Sequence, residues 1–152
     1  MTRLVEAFRE AGIQRFLDVQ RFCEAPPHRL RVSELGPLYG LRYRRGESDF
    51  RSPLVRQARG IVLEKETNRI VSWAFDKFYE YGEDAPSYAE RPNLRRSVAD
   101  PLARYERKYD GVLIKVVRRA GGSLLVSTNG TIDAALAPMR GPGGRFGFSG
   151  DD

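Results

Sequence analysis

The 152-residue chain is long enough to form one domain with a buried core, and it is 41% hydrophobic and 30% charged, as globular proteins are. Its 26 Lys and Arg residues outnumber its 20 Asp and Glu residues, which gives a formal net charge of +6. A basic surface favours phosphate-rich partners, because each neutralised phosphate releases counterions. An arginine-rich composition with solvated basic faces is the alternative explanation of this charge.

Several classes of protein are excluded by the sequence. The longest apolar runs are only a few residues, too short for a transmembrane helix. The N-terminal stretch MTRLVEAFRE has no continuous apolar core of the kind a signal peptide needs, so we expect a cytoplasmic protein. Cys23 is the only cysteine and His28 the only histidine, which excludes an internal disulfide and a zinc site built from these residues.

The predicted elements begin with two short helices. Apolar residues recur at helical spacing in TRLVEAFREAG and in IQRFLDVQRFCEA. Gly12 separates the two helices, and Pro26 and Pro27 end the second. The following stretch, RVSELGPLYGLRYRRGESD, is rich in turn residues and is predicted to contain one short strand near Leu41 to Arg44.

Two β-hairpins are predicted next, from Ala58 to Phe75 and from Gly111 to Ile132, each with two β-rich segments around a turn. In the first hairpin, Trp73 and Phe75 alternate with smaller residues and are interpreted as core packing. The predicted fold is therefore α+β, with N-terminal helices leading to an antiparallel sheet built from the two hairpins.

The C-terminal part is predicted to lose regular structure. TIDAALAPM begins a helix, with Thr131 or Asp133 as its N-cap. The last thirteen residues, RGPGGRFGFSGDD, contain five glycines and show no periodicity. We therefore expect one domain over residues 1–139 and a Gly-rich disordered tail over residues 140–152.

The stretch ERKYDGVLIK places Lys108 two residues before the pair Asp110 and Gly111, at the edge of an apolar strand. A lysine amine can attack the α-phosphate of ATP and form a lysyl-AMP. This requires a lowered pKa, which desolvation, nearby cations such as Arg107 and Lys115, and a bound magnesium would promote. A K-x-D-G motif alone is short and frequent by chance.

Four blocks between about Tyr43 and Ala135 resemble, in order and spacing, the N-terminal half of the adenylation domain of phage-type ATP-dependent RNA ligases, the RNA ligase 1 family. The blocks are ARGIVLE, FDKFYEYGE, KYDGVLI and VSTNGTIDAA. The resemblance implies part of a ligase/nucleotidyltransferase (ATP-grasp-like) adenylation domain. It also implies ATP and Mg²⁺ as cofactors and, as partners, the RNA 5′-phosphate and 3′-hydroxyl ends that these enzymes join.

The resemblance also implies a set of site residues. Arg59 would clamp phosphate oxygens, and Lys77 would offer a point charge to the β- or γ-phosphate. The implied catalytic residues are Lys108 (the AMP acceptor), Arg59 and Lys77, and the implied nucleotide-binding residues are Tyr43, Phe78, Asp110, Gly111 and Asn129; no metal ligand is assigned. As an alternative, Arg59 pairs with Glu64 or Glu66 in the hairpin and the aromatic residues belong to the core.

The chain departs from the family pattern in two ways. Asn129 stands where family members typically carry a lysine or arginine. Three later blocks of the family are absent from residues 1–152: an acidic strand, an E-G block and a K-x-K strand. A truncated or frameshifted gene, a partial sequence, or a second chain that completes the domain would each explain this. The abrupt change in composition after Met139 favours the first explanation.

Two kinds of function stay open from the sequence. The chain is an RNA ligase adenylation fragment, weak or inactive by itself, or it is a non-catalytic basic remnant that binds RNA or DNA. A DNA ligase or a capping-type guanylyltransferase is a third interpretation, against which the Arg59 and Lys77 blocks argue. The RNA substrate, and a role in tRNA repair or in a phage–host contest, are not determined by the sequence.

Overall fold

The computed structural model describes residues 2–79, 107, 111–134, 139–141 and 144–146. The two predicted helices are confirmed as α1 (Arg3–Glu10) and α2 (Phe16–Glu24). Thr2 caps α1 by accepting a hydrogen bond from the backbone N–H of Val5. Gly12, with φ of +65°, lies in the connection between the helices.

A four-stranded antiparallel sheet follows, in the order β1-β2-β3-β4. Its strands are β1 (Arg31–Leu35), β2 (Leu38–Arg42), β3 (Arg59–Glu64) and β4 (Ile70–Ser72). The one short strand predicted near Leu41 to Arg44 is present as β2, which ends at Arg42, but a second strand, β1, was not predicted. Gly36 and Pro37 form the tight turn between the two paired strands. A short helix that the sequence did not predict, α3 (Pro53–Gln57), lies between β2 and β3.

The second predicted hairpin is confirmed as β5 (Ile114–Arg118) and β6 (Leu124–Thr128). The two hairpins do not form one sheet, which corrects that part of the prediction: β3 and β4 pair with β1 and β2, whereas β5 and β6 form a separate two-stranded sheet. The interpretation of Trp73 and Phe75 as core packing was also wrong. β4 ends at Ser72, and both aromatic side chains are exposed.

A third, very short hairpin joins β7 (Met139–Gly141) to β8 (Gly144–Phe146). It overlaps the predicted Gly-rich tail, where the sequence indicated no strand. The other tail residues lie outside the described residues, so their disorder stays a prediction. The helix predicted from TIDAALAPM falls largely on residues 135–138, which also lie outside the described part.

The sheet β1–β4 has a core on each face. On one face, α1 and α2 cover β2 and β3 with fully buried side chains that include Leu4, Phe8, Tyr39 and Leu41. On the other face, a small cluster of four residues joins β2 and β3 to β6 and the residues after it: Leu38, Val62, Leu125 and Ile132. The alternation of side chains along β2 and β3 produces these two faces.

The chain divides into two compact units, residues 1–76 with 112–152 and residues 77–111. All strands and helices named above lie in the first unit. In the described part of the chain, no helix is both long enough and apolar enough to cross a membrane.

Candidate nucleotide-binding site

The site is organised where the start of β3 meets the end of β6. Gly60 has φ of +74°, and a Cβ added to it would lie 2.5 Å from Cα of Asn129 and 2.9 Å from its carbonyl oxygen. Only glycine allows this backbone conformation together with this close approach. The absence of a side chain at Gly60 therefore lets the backbone of Asn129 pack directly against the start of β3, next to Arg59.

A turn from Thr128 to Thr131 holds Asn129 in place. The Thr128 hydroxyl accepts hydrogen bonds from the backbone N–H groups of Gly130 (3.1 Å) and Thr131 (3.2 Å). The backbone N–H of Thr128 donates to the carbonyl of Thr131 at 3.1 Å. This is the local side-chain-to-backbone bonding by which threonine stabilises turns.

The side-chain amide of Asn129 has unused hydrogen-bonding capacity. Its Oδ1 is buried and has no hydrogen-bond partner among the described residues. Buried polar groups are rarely left without a partner, so this position is suited to a ligand. Rotation of the amide presents either the oxygen or the NH₂ group there, and the NH₂ group is a donor for a phosphate oxygen.

An open pocket of about 490 Å³ lies at this junction. It is lined by Arg42, Tyr43, Arg45, Arg59, Val112, Thr128, Asn129 and Gly130, a set with three arginines and no carboxylate. Three predicted site residues therefore meet in one place: Tyr43, Arg59 and Asn129. Of the two carboxylates suggested as alternative partners of Arg59, Glu64 pairs with Arg69, and Glu66 does not line this pocket.

Arg59 is held by an aromatic side chain that the sequence analysis assigned to the core. The guanidinium carbon of Arg59 lies 4.8 Å from the centroid of the Phe75 ring, a cation–π contact. Phe75 is 42% exposed, which leaves it at the surface beside the arginine. This contact restricts the orientation of the Arg59 guanidinium.

Lys115 contacts the backbone of β3 at the point where β3 meets the end of β6. It lies on β5, it is buried, and its Nζ donates a hydrogen bond to the carbonyl of Gly60. Burial lowers the pKa of Lys115 from its ordinary 10.5 to about 8, because the charged form is poorly solvated there. Lys115 therefore ties the β5–β6 sheet to the backbone next to Arg59.

The other predicted site residues belong to the second unit or fall outside the described part. Lys77 and Phe78 belong to the second unit, where the Lys77 amine lies 4.0 Å from the Tyr79 ring centroid and donates to the Phe78 carbonyl at 3.2 Å. Gly111, in the same unit, is exposed. Lys108 and Asp110 lie outside the described residues. The convergence of Arg59, Lys77 and Lys108 on one nucleotide stays a prediction.

Five lining residues of the pocket were not among the predicted site residues: Arg42, Arg45, Val112, Thr128 and Gly130. Arg42 and Arg45 lie close to Tyr43 in the stretch RYRRG, which the sequence marked only as part of a turn-rich region. Thr128 organises the turn, and the pattern T-x-G-T in VSTNGT could have indicated it. No group of three or more His, Cys, Asp or Glu side chains in the described part could hold a metal ion.

The sequence was compared with known proteins. The model of a family described as RNA ligase matches residues 57–140, more than half of the chain, and this segment includes Arg59, Lys108 and Asn129. No curated protein and no solved structure gives a significant match. The ordered blocks around these residues and the family match agree, and the chain therefore belongs to the phage-type RNA ligase family.

Proposed function

We propose that this chain performs the adenylation chemistry of an ATP-dependent RNA ligase, with Lys108 as the AMP acceptor and with a ligase/nucleotidyltransferase fold. The observation that carries the proposal is the meeting of Arg59, Tyr43 and Asn129 in one cationic pocket, in a chain that belongs to the RNA ligase family. The partners in the complete reaction are an RNA 5′-phosphate end and an RNA 3′-hydroxyl end.

The pocket has the features that a nucleotide triphosphate requires. Its volume of about 490 Å³ is within the range of small-molecule sites. Guanidinium N–H groups of Arg59 and Arg42 can donate to phosphate oxygens, in pairs where the geometry is bidentate. The unpartnered amide of Asn129 offers a further contact without charge. These residues would bind and orient the phosphates of ATP.

Lys108 performs the covalent step in this proposal. The lone pair of its Nζ attacks the α-phosphorus, the bond to the bridging oxygen of pyrophosphate breaks, and pyrophosphate leaves with that electron pair while the amine proton passes to solvent. Arg59 stabilises the charge that develops on the phosphate oxygens. The described residues offer no group of metal ligands, so no step is assigned to Mg²⁺.

Ligation follows in two displacements. A 5′-phosphate oxygen of RNA attacks the phosphorus of lysyl-AMP, the P–N bond breaks, and the Lys108 amine takes up a proton. The 3′-hydroxyl of the second RNA end then attacks the activated 5′-phosphate, loses its proton, and expels AMP. Both displacements need the RNA phosphate to lie close to the nucleotide.

Adenylation by a polypeptide of residues 1–152 alone is expected to be weak. The three later family blocks are not among these residues, and Asn129 replaces a cation. Removal of a single electrostatic donor from such a site commonly lowers the rate by about 10²–10³-fold. Supplying the later part of an adenylation domain, in cis or in trans, should raise the rate.

The test is covalent labelling with α-labelled ATP and Mg²⁺, with and without that later part. We expect weak labelling alone and stronger labelling with it, loss of the label in Lys108→Ala, and a decrease of about 10²-fold or more in Arg59→Ala. Lys65→Ala, which removes a lysine paired with Glu34, is the matched control and should label normally. A label that survives Lys108→Ala, or no label under any of these conditions, contradicts the proposal.

The second candidate function is nucleic-acid binding without catalysis. The observation that favours it is the three arginines of the pocket, which would attract phosphates whether or not a covalent step follows. It predicts RNA or DNA binding in a protein that never acquires a Lys108-dependent label. The same assay with labelled GTP tests the capping-type alternative.

A further inference from the structure

Three arginines lie side by side across three neighbouring strands. Arg31 on β1 is directly opposite Arg42 on β2, and Arg42 pairs with Arg59 on β3 across a register shift between Leu41 and Arg42. Strands are about 4.8 Å apart, so the backbone positions of the three residues span roughly 10 Å. Arg31 and Arg42, as directly opposed residues, share one face of the sheet, and Arg42 and Arg59 line the same pocket. We call Arg31, Arg42 and Arg59 the arginine row.

Two members of the row, Arg31 and Arg42, are not neutralised by the described part of the protein in the way other cations are. Arg31 and Arg42 form neither an ion pair nor a side-chain hydrogen bond within the described residues. By contrast, Arg69 pairs with Glu64, and Lys65 pairs with Glu34 at 2.7 Å. Like charges directly opposite each other destabilise a sheet. An arrangement of this kind is suited to an anion that bridges the arginines.

A second open pocket, of about 500 Å³, extends the first one along the row. It is lined by Arg31, Arg42, Tyr43, Arg44, Arg45 and Glu47, and it shares Arg42, Tyr43 and Arg45 with the pocket at Arg59. Its one lining carboxylate, Glu47, is paired with Arg44 at 3.4 Å. The two pockets adjoin at these shared residues, and of the two only the second is lined by Arg31.

Tyr43 lies where the two pockets join. Its ring packs edge-to-face on Phe50 at 5.0 Å, and its backbone N–H donates to the carbonyl of Ala58 at 2.8 Å. A fixed, half-buried aromatic ring beside a cationic groove is the arrangement on which single-stranded nucleic acids stack a base.

We propose that the arginine row binds successive phosphates of a single RNA strand, and that Tyr43 contacts a base or sugar of that strand. The assignment of RNA as the ligand rests on the proposed function. A strand is favoured over a lone nucleotide because a strand carries one phosphate per nucleotide and can contact Arg31 and Arg42 together. A lone nucleotide bound at Arg59 would lie in the first pocket, which Arg31 does not line. The contacts are to backbone phosphates, so binding is independent of sequence.

The test measures binding of a fluorescent, 5′-phosphorylated, single-stranded RNA by anisotropy, without ATP. The double variant Arg31→Ala/Arg42→Ala is compared with Arg9→Ala/Arg21→Ala, which removes the same charge from exposed positions of α1 and α2. We expect the first pair to weaken binding by about tenfold or more and the control pair by about twofold or less. We also expect the first pair to reduce the salt dependence of log K by about 1.4, from about 0.7 per phosphate contact.

Equal weakening by both pairs overturns the proposal, because it would reflect net charge alone. Weaker ATP binding with unchanged RNA binding in the first pair also overturns it, because the row would then bind ATP and not RNA. Equally tight, Arg31-dependent binding of a DNA strand would contradict the assignment of RNA as the ligand. Arg31→Lys should retain most of the salt dependence and lose less affinity than Arg31→Ala.

Misfolding and failure of the proposed function can both be separated from failure of the row. Arg31 is exposed on an edge strand, so Arg31→Ala should have a melting temperature equal to or above that of the unchanged protein, since it removes a like-charge contact. RNA binding that depends on Arg31 and Arg42, in a chain that never labels at Lys108, would support the proposed RNA contact of the row and contradict the proposed function. Labelling at Lys108 without RNA binding that depends on these arginines would support the proposed function and contradict the proposed RNA contact of the row.

Discussion

The sheet β1–β4 and the hairpin β5–β6 differ in what holds them in place. The first is packed against α1 and α2 through side chains that are almost completely buried, among them Leu4, Phe8 and Leu41. The second exposes much of its apolar surface to solvent in the described structure, with Ile114 45%, Val116 59% and Leu124 64% exposed. Hydrophobic burial therefore accounts for the stability of the sheet but only in small part for the position of the hairpin.

Polar side-chain contacts and backbone contacts largely determine the position of the hairpin β5–β6. The Ser72 and Ser127 hydroxyls lie 3.2 Å apart in a buried hydrogen bond, and Lys115 bonds to the carbonyl of Gly60. The backbone of Asn129 packs directly on Gly60. The comparison shows that the N-terminal sheet is a scaffold, and that a few contacts next to Arg59 determine the geometry of the candidate site.

The largest contrast is expected between two leucines, one in each region. Leu41→Ala removes a fully buried side chain and should lower the free energy of unfolding by about 3 kcal/mol. Leu124→Ala removes an exposed one and should change it by less than about 0.5 kcal/mol. Urea denaturation followed by circular dichroism measures both. Equal losses would mean that the face carrying Leu124 is covered in solution, and the contrast between the regions would fail.

A smaller but more specific effect is expected at Gly60. Gly60→Ala meets both a strained backbone conformation and the close approach to Asn129, and should lower the free energy of unfolding by about 2–3 kcal/mol. Gly36→Ala is the matched control, because Gly36 has φ of +53° with no atom within 4 Å of the added Cβ. It should lose only about 1 kcal/mol. If the two variants lose the same amount, the contact with Asn129 contributes nothing to stability.

The last effect expected is a dependence of stability on pH, which is small over any one pH unit. The pKa of Lys115 is about 8 in the folded protein and near its ordinary 10.5 in the unfolded chain. Between these values the unfolded chain binds more protons, so this lysine makes stability rise with pH, by at most about 1.4 kcal/mol per pH unit. Lys115→Met should remove that rise between pH 8 and 10.5. Thermal melts across this range measure it, and an unchanged pH profile would show that Lys115 is solvated.

Local patterns predicted α1, α2 and both hairpins, because apolar periodicity and turn residues act over a few neighbouring positions. The separation of the hairpins into two sheets was not predictable in this way, since it depends on which strand pairs with β3. The predicted meeting of Arg59 and Asn129 came from resemblance to the family, and the structure brings the two residues to one pocket. The arginine row was missed because Arg31 and Arg42 become neighbours only through the register of β1 and β2.

The central claim is that ATP binds in the pocket at Arg59, and backbone amide chemical shifts test it most directly. On titration of the isotope-labelled chain with ATP, the account predicts the largest shifts at Tyr43, Gly60, Asn129 and Gly130, and their loss in Arg59→Ala. A third pocket of about 420 Å³, whose lining includes Arg69, Arg118 and Arg119, provides the internal comparison. Shifts confined to the residues of that pocket, and unaffected by Arg59→Ala, would contradict the account.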